Sequence, residues 1–352
     1  MSRSTLISII IPVLNAESTL SQCLESIKQQ DFLSFEVLLV DDHSTDDSNT
    51  IIQTWIQNDS RFKSLKLDKV TGAAAARNYG LRHVLGDYFF FLDADDWIEP
   101  ETLSSLFNMA IQNQADIICS SHIQNRDNKT IYKQDGSPTV DHIFSNQDLA
   151  DYIQHYIQTP YHYTLFVHCW GKLFKTEVHR SHEIYFDESL SQLEDVNFNF
   201  KFMQCTAKIA YKHAHLYHHR INNHHVSMSK KTGEEDDFLT KIFIAYKPIS
   251  RFLSSLGKGT SNSADTLVYK LAVNTVVITI IRLSRGFLKK PSIVFWHKMR
   301  MVSQSTDLKE GLKYYSPQKG ESKLIFYALK AGGTTLIALA GVIRASVIAL
   351  RK

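Results

Sequence analysis

The stretch YFFFLDADDW, residues Tyr88–Trp97, places an apolar run directly before three carboxylates. Its aromatic and aliphatic residues are typical of a strand buried inside a sheet. Asp93, Asp95 and Asp96 repel one another at such close spacing, and each loses hydration as it leaves water. A divalent cation bound by Asp93 and Asp95 would relieve that repulsion, because Mg²⁺ and Mn²⁺ prefer oxygen ligands. The alternative is a turn rich in helix-capping acids before Pro100.

Two earlier stretches have the same arrangement of a buried strand followed by polar residues. Leu6–Asn15 is an apolar run rich in β-branched residues, and Phe35–Asp47 is a second apolar run that ends in acids. Helices are predicted between the strands, one capped by Ser18 and one of small residues over Thr71–Leu85. This alternation predicts an α/β fold with a mostly parallel sheet flanked by helices. Ligands bind at the carboxyl ends of such strands, so the polar residues should meet at one edge.

Residues 116–229 combine stretches typical of strands, helices and polar loops. Asp116–Ser121 predicts one more strand, Asn146–Gln158 an amphipathic helix, and Leu190–Met203 a helix that follows two acids. Leu216–Ser229 is polar and rich in histidine. We interpret most of its histidines as surface or loop residues with no shared ligand, and a third metal ligand from His224 or His225 is the alternative.

Composition and charge separate the chain into two parts. The 352 residues are 43% hydrophobic and 21% charged, which is ordinary for a globular protein. Residues 1–237 carry 20 Lys and Arg against 32 Asp and Glu, and residues 238–352 carry 19 against 4. We therefore predict an enzyme-like domain over residues 1–232 and a basic, helical region over residues 233–352 that meets a polyanion, either nucleic acid or an anionic membrane surface.

The cysteines and the N-terminal residues indicate the cellular compartment of the protein. The four cysteines are widely separated and form no pair of the kind that binds zinc. They predict reduced thiols in a cytoplasmic protein rather than a disulfide framework. The N-terminal residues also lack the basic start and apolar run of a signal peptide.

Six segments occur in an order and spacing that point to one family of enzymes. They are SIIIPVLNAESTLSQCLESIKQQ, VLLVDDHSTDDS, GAAAARNYGL, YFFFLDADDW, HCWGKLFKTE and LEDVNFNFKF. Together they resemble a family-two inverting glycosyltransferase of the GT-A fold, of the type that builds bacterial capsule or exopolysaccharide. The resemblance covers about residues 5–230. It implies a Rossmann-like sheet, a UDP-sugar donor, a glycan acceptor and Mn²⁺ or Mg²⁺ as cofactor.

The resemblance also implies roles for individual residues. Asp93 and Asp95 flank Ala94 as an Asp-x-Asp pair, with Asp95 the more direct metal ligand. Arg77 lies where the family has an arginine near the diphosphate or donor sugar, and a solvated helix arginine is the alternative. The residues implied to bind the nucleotide-sugar are Pro12, Val13, Asn15, Asp42, Arg77, Asp93, Ala94, Asp95, Arg220 and His224.

The same resemblance makes Asp195 the catalytic base. In an inverting transfer an acceptor hydroxyl attacks the anomeric carbon opposite the leaving UDP, and a carboxylate takes its proton. Glu194 would orient the acceptor. The alternative is that both acids cap a helix, since acids favour helix N-termini. Trp170 and Lys172 are candidates for the acceptor site, and Trp170 is equally explained as core.

The last stretch of the chain is apolar with widely spaced cations. We predict one helix over Lys323–Lys352, with Lys323, Lys330, Arg344 and Arg351 along one side because their gaps are multiples of seven. Such a helix suits an anionic membrane surface on the inner face of the cell membrane. A buried core helix is the alternative. Nucleic acid is not expected, because the apolar content exceeds what phosphate binding needs.

The sequence is consistent with three candidate functions. The leading prediction is a metal-dependent hexosyltransferase that moves a sugar from a UDP-sugar to a glycan, with a lipid-linked acceptor and a place in surface polysaccharide synthesis. A sugar nucleotidyltransferase is the second, although PVLNAEST lacks a glycine-rich basic nucleotide loop. A non-catalytic binding subunit of a membrane glycan assembly is the third.

Overall fold

The computed structural model describes residues 6–126, 129–132, 135–160, 162–221, 237–257, 261–317 and 321–350. The chain forms two compact units. The first comprises residues 1–156 and 160–228, and the second comprises residues 157–159 and 229–352. All four cysteines are free thiols.

The first unit is built on a ten-stranded sheet with helices α1 to α7. Its strands are β1 (Ile7–Val13), β2 (Phe35–Asp41), β3 (Phe62–Lys66), β4 (Tyr88–Phe91), β5 (Trp97–Ile98), β6 (Ile117–Arg126), β7 (Lys129–Tyr132), β8 (His142–Ile143), β9 (Lys172–Lys175) and β10 (Ile209–Arg220). Its helices are α1 (Leu20–Lys28), α2 (Ser48–Asn58), α3 (Ala73–Leu81), α4 (Thr102–Asn113), α5 (Asn146–Gln158), α6 (Thr176–His182) and α7 (Glu194–Met203).

The strand order is β3-β2-β1-β4-β9-β6-β10-β5, with β7 beside β6 and β8 beside β10. Strands β1 to β4 are mutually parallel, and so are β6 and β10. Every residue of β1 and β2 is buried, as expected for parallel strands covered on both faces. The predicted α/β fold is therefore confirmed, and the carboxyl ends of β1, β2 and β4 share one edge.

Helix α3 packs unusually close to the sheet. A Cβ atom at Gly80 would lie 2.5 Å from Ile10 Cγ2 and 3.4 Å from Val40 Cγ2. The small residues of Thr71–Leu85 thus allow the helix to approach β1 and β2. This approach brings Arg77, one turn earlier on α3, over the sheet.

Several predicted elements differ from the observed ones. Helix α1 has Thr19 rather than Ser18 at its N-cap position. Strands β3 and β9 were not predicted, because five and four residues give too short a periodic signal. The histidine-rich stretch was interpreted as a loop, yet its first part belongs to β10, which ends at Arg220.

The second unit is helical. Its helices are α8 (Phe238–Ser255), α9 (Ser261–Lys289), α10 (Ile293–Gln304), α11 (Thr306–Gly311), α12 (Lys323–Ala331) and α13 (Thr334–Leu350). Among the described residues, one stretch, Ala264–Lys289, is long and apolar enough to cross a membrane, and half of its most apolar window is buried against the rest of the protein.

The single helix predicted over Lys323–Lys352 is wrong. The chain leaves the helical path at Gly332, whose φ of 73° is a left-handed cap that glycine adopts readily. Lys323 and Lys330 lie on α12, and Arg344 lies on α13. A seven-residue spacing has no meaning across two helices, so the predicted basic stripe does not exist as one face.

Candidate active site

The loops after β1 and β2 form one side of the site and are tied together. The Asn15 side-chain oxygen accepts a hydrogen bond from the Thr45 amide at 2.8 Å, and the Asn15 amide donates to Ser44 Oγ at 3.1 Å. Asn15 and His43 both have positive φ, at 50° and 65°. Non-glycine residues adopt this conformation only where surrounding contacts enforce it. Both lie at the sheet edge where the sequence predicts nucleotide binding.

Asp42 is fully buried and holds the start of α3. Its Oδ1 accepts from the amide and hydroxyl of Thr71 at 2.7 and 2.8 Å, and its Oδ2 accepts from the Gly72 amide at 2.7 Å. A carboxylate has about four acceptor positions, so one remains, on Oδ2. Any hydrogen bond from a uracil ring to Asp42 would use that oxygen.

The predicted metal ligands lie close together after β4. Possible ligand atoms of Asp93, Asp95 and Asp96 all fall within 4.8 Å of one another. Oxygen atoms at this separation suit a hard divalent cation. The residues present therefore fit Mn²⁺ or Mg²⁺.

Asp96 differs from the other two carboxylates. It is 1% exposed, and it accepts hydrogen bonds from the Tyr217 hydroxyl and the Arg220 amide, both at 2.7 Å. Burial, together with the charges of Asp95 and Asp93, raises the pKa of Asp96 well above its ordinary value. Asp96 thus fixes β10 against the loop, which leaves Asp93 and Asp95 to hold an ion.

Arg77 connects the Asp-x-Asp pair to the predicted base. Its guanidinium lies 2.8 Å from Asp93 Oδ1 and 3.2 Å from Asp195 Oδ1, with Glu194 Oε1 at 3.8 Å. The side chain is 5% exposed, so the alternative of a solvated helix arginine is wrong. One buried cation therefore joins residues 93 and 195, which are far apart in the chain.

Glu194 and Asp195 occupy the first turn of α7. Asp195 Oδ2 accepts from the Cys169 amide at 3.1 Å, a group outside its own helix. No side-chain hydrogen bond caps α7 at Leu193, which itself has a positive φ of 62°. Both acids lie where the helix dipole favours negative charge, so their position also fits the alternative in which they serve as helix caps.

Glu194 has an altered acidity. Its burial, followed by the charge of Asp195, raises the pKa of Glu194 from 4.5 to about 7, and the opposing charge of Arg77 limits the rise. At neutral pH this carboxyl group is therefore divided between its neutral and charged forms.

Arg220 lies beside the acidic loop, as expected for a residue of the nucleotide-sugar site. Its Nε donates to the Asp95 carbonyl at 2.8 Å, its Nη2 contacts Gln22 Oε1, and its guanidinium lies 4.8 Å from the Trp97 ring centroid. His224 lies outside the described residues. Pro12, Val13 and Ala94 are buried at the same sheet edge.

An aromatic stack lies next to Cys169, whose amide donates to Asp195. Trp170 stacks on Tyr217 and on His168, with ring centroids 4.4 Å apart in both pairs. Lys172 is 4% exposed and donates to the His168 and Trp170 carbonyls, at 2.6 and 3.3 Å. Trp170 is thus part of the core, and Lys172 supports the turn rather than projecting outward.

Tyr217 was missed by sequence reasoning. Its hydroxyl accepts from the Asp93 amide at 3.2 Å and donates to Asp96. It lies 124 residues from Asp93 in sequence, on a strand that was not predicted. The apolar positions of β10 do not alternate, since Leu216 and Tyr217 are adjacent and both buried, so periodicity did not indicate a strand here.

The chain resembles known proteins in both sequence and fold. Residues 8–182, just under half of the chain, match the family model described as Glycosyl transferase family 2. The fold resembles the crystal structure of S. aureus TarS 1-349 in complex with UDP-GlcNAc, with a TM-score of 0.69 and 19% identity, over 96% of this chain and 90% of that chain. At this identity the structural likeness shows the fold.

The chain is similar in sequence to known glycosyltransferases over part of its length. It is 30% identical over 218 residues to Glycosyltransferase GlyA of Streptococcus pneumoniae, which is 61% of this chain and 30% of that protein. It is 27% identical over 250 residues to the poly(ribitol-phosphate) beta-N-acetylglucosaminyltransferase TarP of Staphylococcus aureus, 69% of this chain and 72% of that protein. The chain spans less than two thirds of the first two curated relatives it matches, 30% and 61% of their lengths.

Proposed function

We propose that this GT-A domain is an inverting, metal-dependent hexosyltransferase that moves a sugar from a UDP-sugar to a hydroxyl of a glycan. The observation that carries the proposal is the contact of one buried guanidinium, Arg77, with both Asp93 and Asp195. The first carboxylate belongs to the proposed metal site and the second is the proposed base. An inverting transfer needs these two functions on opposite sides of one anomeric carbon.

The residues of the chain have distinct tasks in this proposal. Asp95 and Asp93 would hold the ion, and a bound ion would supply positive charge to the leaving diphosphate. Asp195 accepts the proton of the acceptor hydroxyl, while the Cys169 amide and Arg77 fix the orientation of its carboxylate. Arg220 contacts the diphosphate, and Pro12, Val13, Asn15 and Asp42 line the nucleoside pocket.

The donor, acceptor and location follow from the proposal. The TarS structure contains UDP-GlcNAc, which supports a UDP-sugar donor here. The TarP name specifies a polymer of ribitol phosphate as acceptor, which supports a cell-surface polymer as the acceptor class. We propose a lipid-linked or polymeric glycan of surface polysaccharide synthesis, of capsule or exopolysaccharide type. The protein would then act from the cytoplasm on the inner face of the membrane.

The first prediction concerns the base. In Asp195→Asn the affinity for UDP and Mn²⁺ should stay within about threefold, while turnover should fall at least ~10²-fold, because the amide cannot accept the proton. Turnover is measured as release of the corresponding nucleoside diphosphate from a panel of UDP-, GDP- and dTDP-sugars. Asp31→Asn is the control, since Asp31 is exposed and lies outside the site. Unchanged turnover in Asp195→Asn would remove this residue as the base.

The second prediction concerns the ion. Calorimetric titration should give UDP-sugar binding that requires Mn²⁺ or Mg²⁺, and Asp95→Asn should abolish that requirement and weaken binding roughly tenfold or more. Asp96→Asn should instead lower thermal stability, because Asp96 bonds to Tyr217 and Arg220. If UDP-sugars bind equally well with a chelator present, metal dependence is wrong. If none of the nucleotide-sugars binds, a non-catalytic binding subunit becomes the better account.

A further inference from the structure

The turn between α9 and α10 exposes large apolar side chains beside cations. We define the α9–α10 tip as residues 288–296. Its exposed apolar members, with their exposed fractions, are Leu288 (47%), Ile293 (84%), Val294 (50%) and Trp296 (42%). Lys289 and Lys290 are exposed between them. Scattered single apolar residues need no explanation, but a cluster of four within nine residues does.

This tip is built rigidly rather than as a loose loop. Ser292 is the N-cap of α10, and its hydroxyl accepts from the Val294 amide at 3.1 Å. Beneath the surface, the Phe287 and Phe295 rings stack with centroids 4.5 Å apart. The cap and the stack fix the start of α10 against the end of α9. Ile293 is therefore held outward by the fold.

A second exposed apolar surface on the same unit provides a contrast. Helix α13 exposes Leu336, Leu339, Ile343 and Leu350 along one face, with exposed fractions of 52%, 55%, 43% and 87%. Among its described residues the one charged side chain is Arg344, which is not on that face. A purely aliphatic face is chemically suited to another protein surface. The α9–α10 tip instead alternates apolar side chains with lysines and includes a tryptophan.

The α9–α10 tip has the chemistry of a membrane interface. Tryptophan prefers the boundary between headgroups and acyl chains, because its ring is apolar and its N–H is polar. Lysines beside it reach anionic headgroups. The whole stretch of residues 238–352 carries 19 Lys and Arg against 4 Asp and Glu, so its charge complements an anionic surface. Two lysines at the tip place part of this charge next to the exposed apolar side chains.

We propose that the α9–α10 tip docks on an anionic lipid surface, with Leu288, Ile293, Val294 and Trp296 at the acyl boundary and Lys289 and Lys290 at the headgroups. The inference rests on the proposed function, in which the acceptor is a membrane-bound glycan. It assigns the membrane contact to this turn rather than to the last two helices.

The test uses the full chain and co-sedimentation with vesicles of phosphatidylcholine that contain 30% phosphatidylglycerol. Lys289→Ser combined with Lys290→Ser should lower the partition coefficient roughly 30-fold, since each lysine near an anionic surface contributes about a fivefold factor. Ile293→Ser combined with Val294→Ser should lower it at least ~10-fold. Ile293 and Val294 are half or more exposed, so both pairs should fold normally.

Matched controls separate the tip from the rest of the unit. Lys309→Ser with Lys313→Ser removes the same charge from other exposed positions, and Leu336→Ser with Leu339→Ser removes exposed leucines from α13. Both control pairs should have vesicle partition coefficients within about threefold of that of the unaltered chain. If the α13 pair releases the protein and the tip pairs do not, the proposal is overturned.

Two further readouts distinguish the possible outcomes. Vesicles with brominated acyl chains should quench tryptophan fluorescence in the unaltered chain, and Trp296→Phe should lose that quenching. UDP release from the UDP-sugar in detergent-free solution is measured in parallel and should be unchanged in the tip variants. If the unaltered chain releases UDP but does not bind the vesicles, the docking proposal is overturned and the proposed transferase activity stands. Tip-dependent self-association in place of vesicle binding overturns it in favour of a second copy of the chain.

Discussion

The guanidinium of Arg77 is shared between Asp93 and Asp195, with Glu194 slightly further away. Three carboxylates around one buried cation leave an excess of negative charge. Removing Arg77 would leave them uncompensated in a partly buried site, at a cost of about 3–5 kcal/mol. A lysine could not replace it fully, because only the forked guanidinium reaches two carboxylates at once.

The raised pKa of Glu194 leads to a prediction about pH. The folded protein holds this proton more tightly than the unfolded chain does, so the free energy of unfolding should fall as pH rises from about 4.5 to about 7. Glu194→Gln should remove that fall and stabilise the protein at pH 8, by on the order of 1 kcal/mol or more.

Thermal or urea unfolding at a series of pH values measures this effect. Glu177→Gln is the control, because Glu177 is 76% exposed and also lies in the first turn of a helix, α6. A slope that persists unchanged in Glu194→Gln would mean that another group is responsible.

At the scale of the element, α3 positions the site through its small residues. Gly72 lies at its N-cap position, held by Asp42, and Gly80 lies against β1. Between them Arg77 extends to residues of the loop after β4 and of α7. Contact of α3 with the sheet therefore controls the position of Arg77, which contacts both Asp93 and Asp195.

Gly80→Ala is expected to disturb this contact. The new Cβ would lie 2.5 Å from Cγ2 of Ile10, a fully buried β-branched side chain that cannot move aside. Overpacking of this kind costs typically about 1–3 kcal/mol, and turnover should fall as Arg77 is displaced.

The control is Gly286→Ala in α9, where a Cβ meets no other atom within 4 Å. Alanine favours the helix by about 1 kcal/mol over glycine, so this variant should be slightly stabilised. Melting temperatures of both variants measure the difference. An undisturbed Gly80→Ala protein would contradict the close approach of α3 to β1.

The last two helices illustrate a second effect at this scale. Gly341 of α13 packs on α9, where an added Cβ would lie 2.4 Å from Ser284 Oγ. Deleting residues 323–352 would expose the α9 core, so deletion is a poor test of membrane binding. Substitution of exposed residues tests it without removing core contacts.

At the scale of the whole molecule, charge is divided unequally along the chain. The opposite balances of residues 1–237 and 238–352 nearly cancel, which leaves a net charge of +3. The small total therefore conceals a strongly basic region, whose charge is complementary to an anionic surface.

Vesicle binding should accordingly depend on salt. Raising NaCl from 50 to 500 mM should weaken binding to vesicles containing phosphatidylglycerol at least ~10-fold, because the Debye length falls from above 10 Å to a few ångströms. Vesicles of phosphatidylcholine alone serve as the control and should show weak binding with little response to salt. Equal binding to both vesicles would indicate that apolar contacts alone hold the protein on the surface.

The sequence by itself determined the fold class and the sheet edge that carries the site. Continuous apolar strands such as Leu6–Asn15 and Tyr88–Phe91 signal parallel strands strongly, because both faces are buried over several residues. Their order along the chain then places the acids after them at one edge. Asp93 and Asp95 were found this way, since they follow directly from a local pattern.

Only the tertiary structure decided which distant groups meet. The contact of Arg77 with Asp195 joins residues 118 positions apart in the sequence. Tyr217 contacts Asp93 from β10, a strand that the sequence did not predict. The break at Gly332 likewise turned one predicted helix into two, because a single left-handed residue redirects the chain while the apolar pattern continues through it. Periodicity reports which face of an element is buried, and packing alone decides what that face touches.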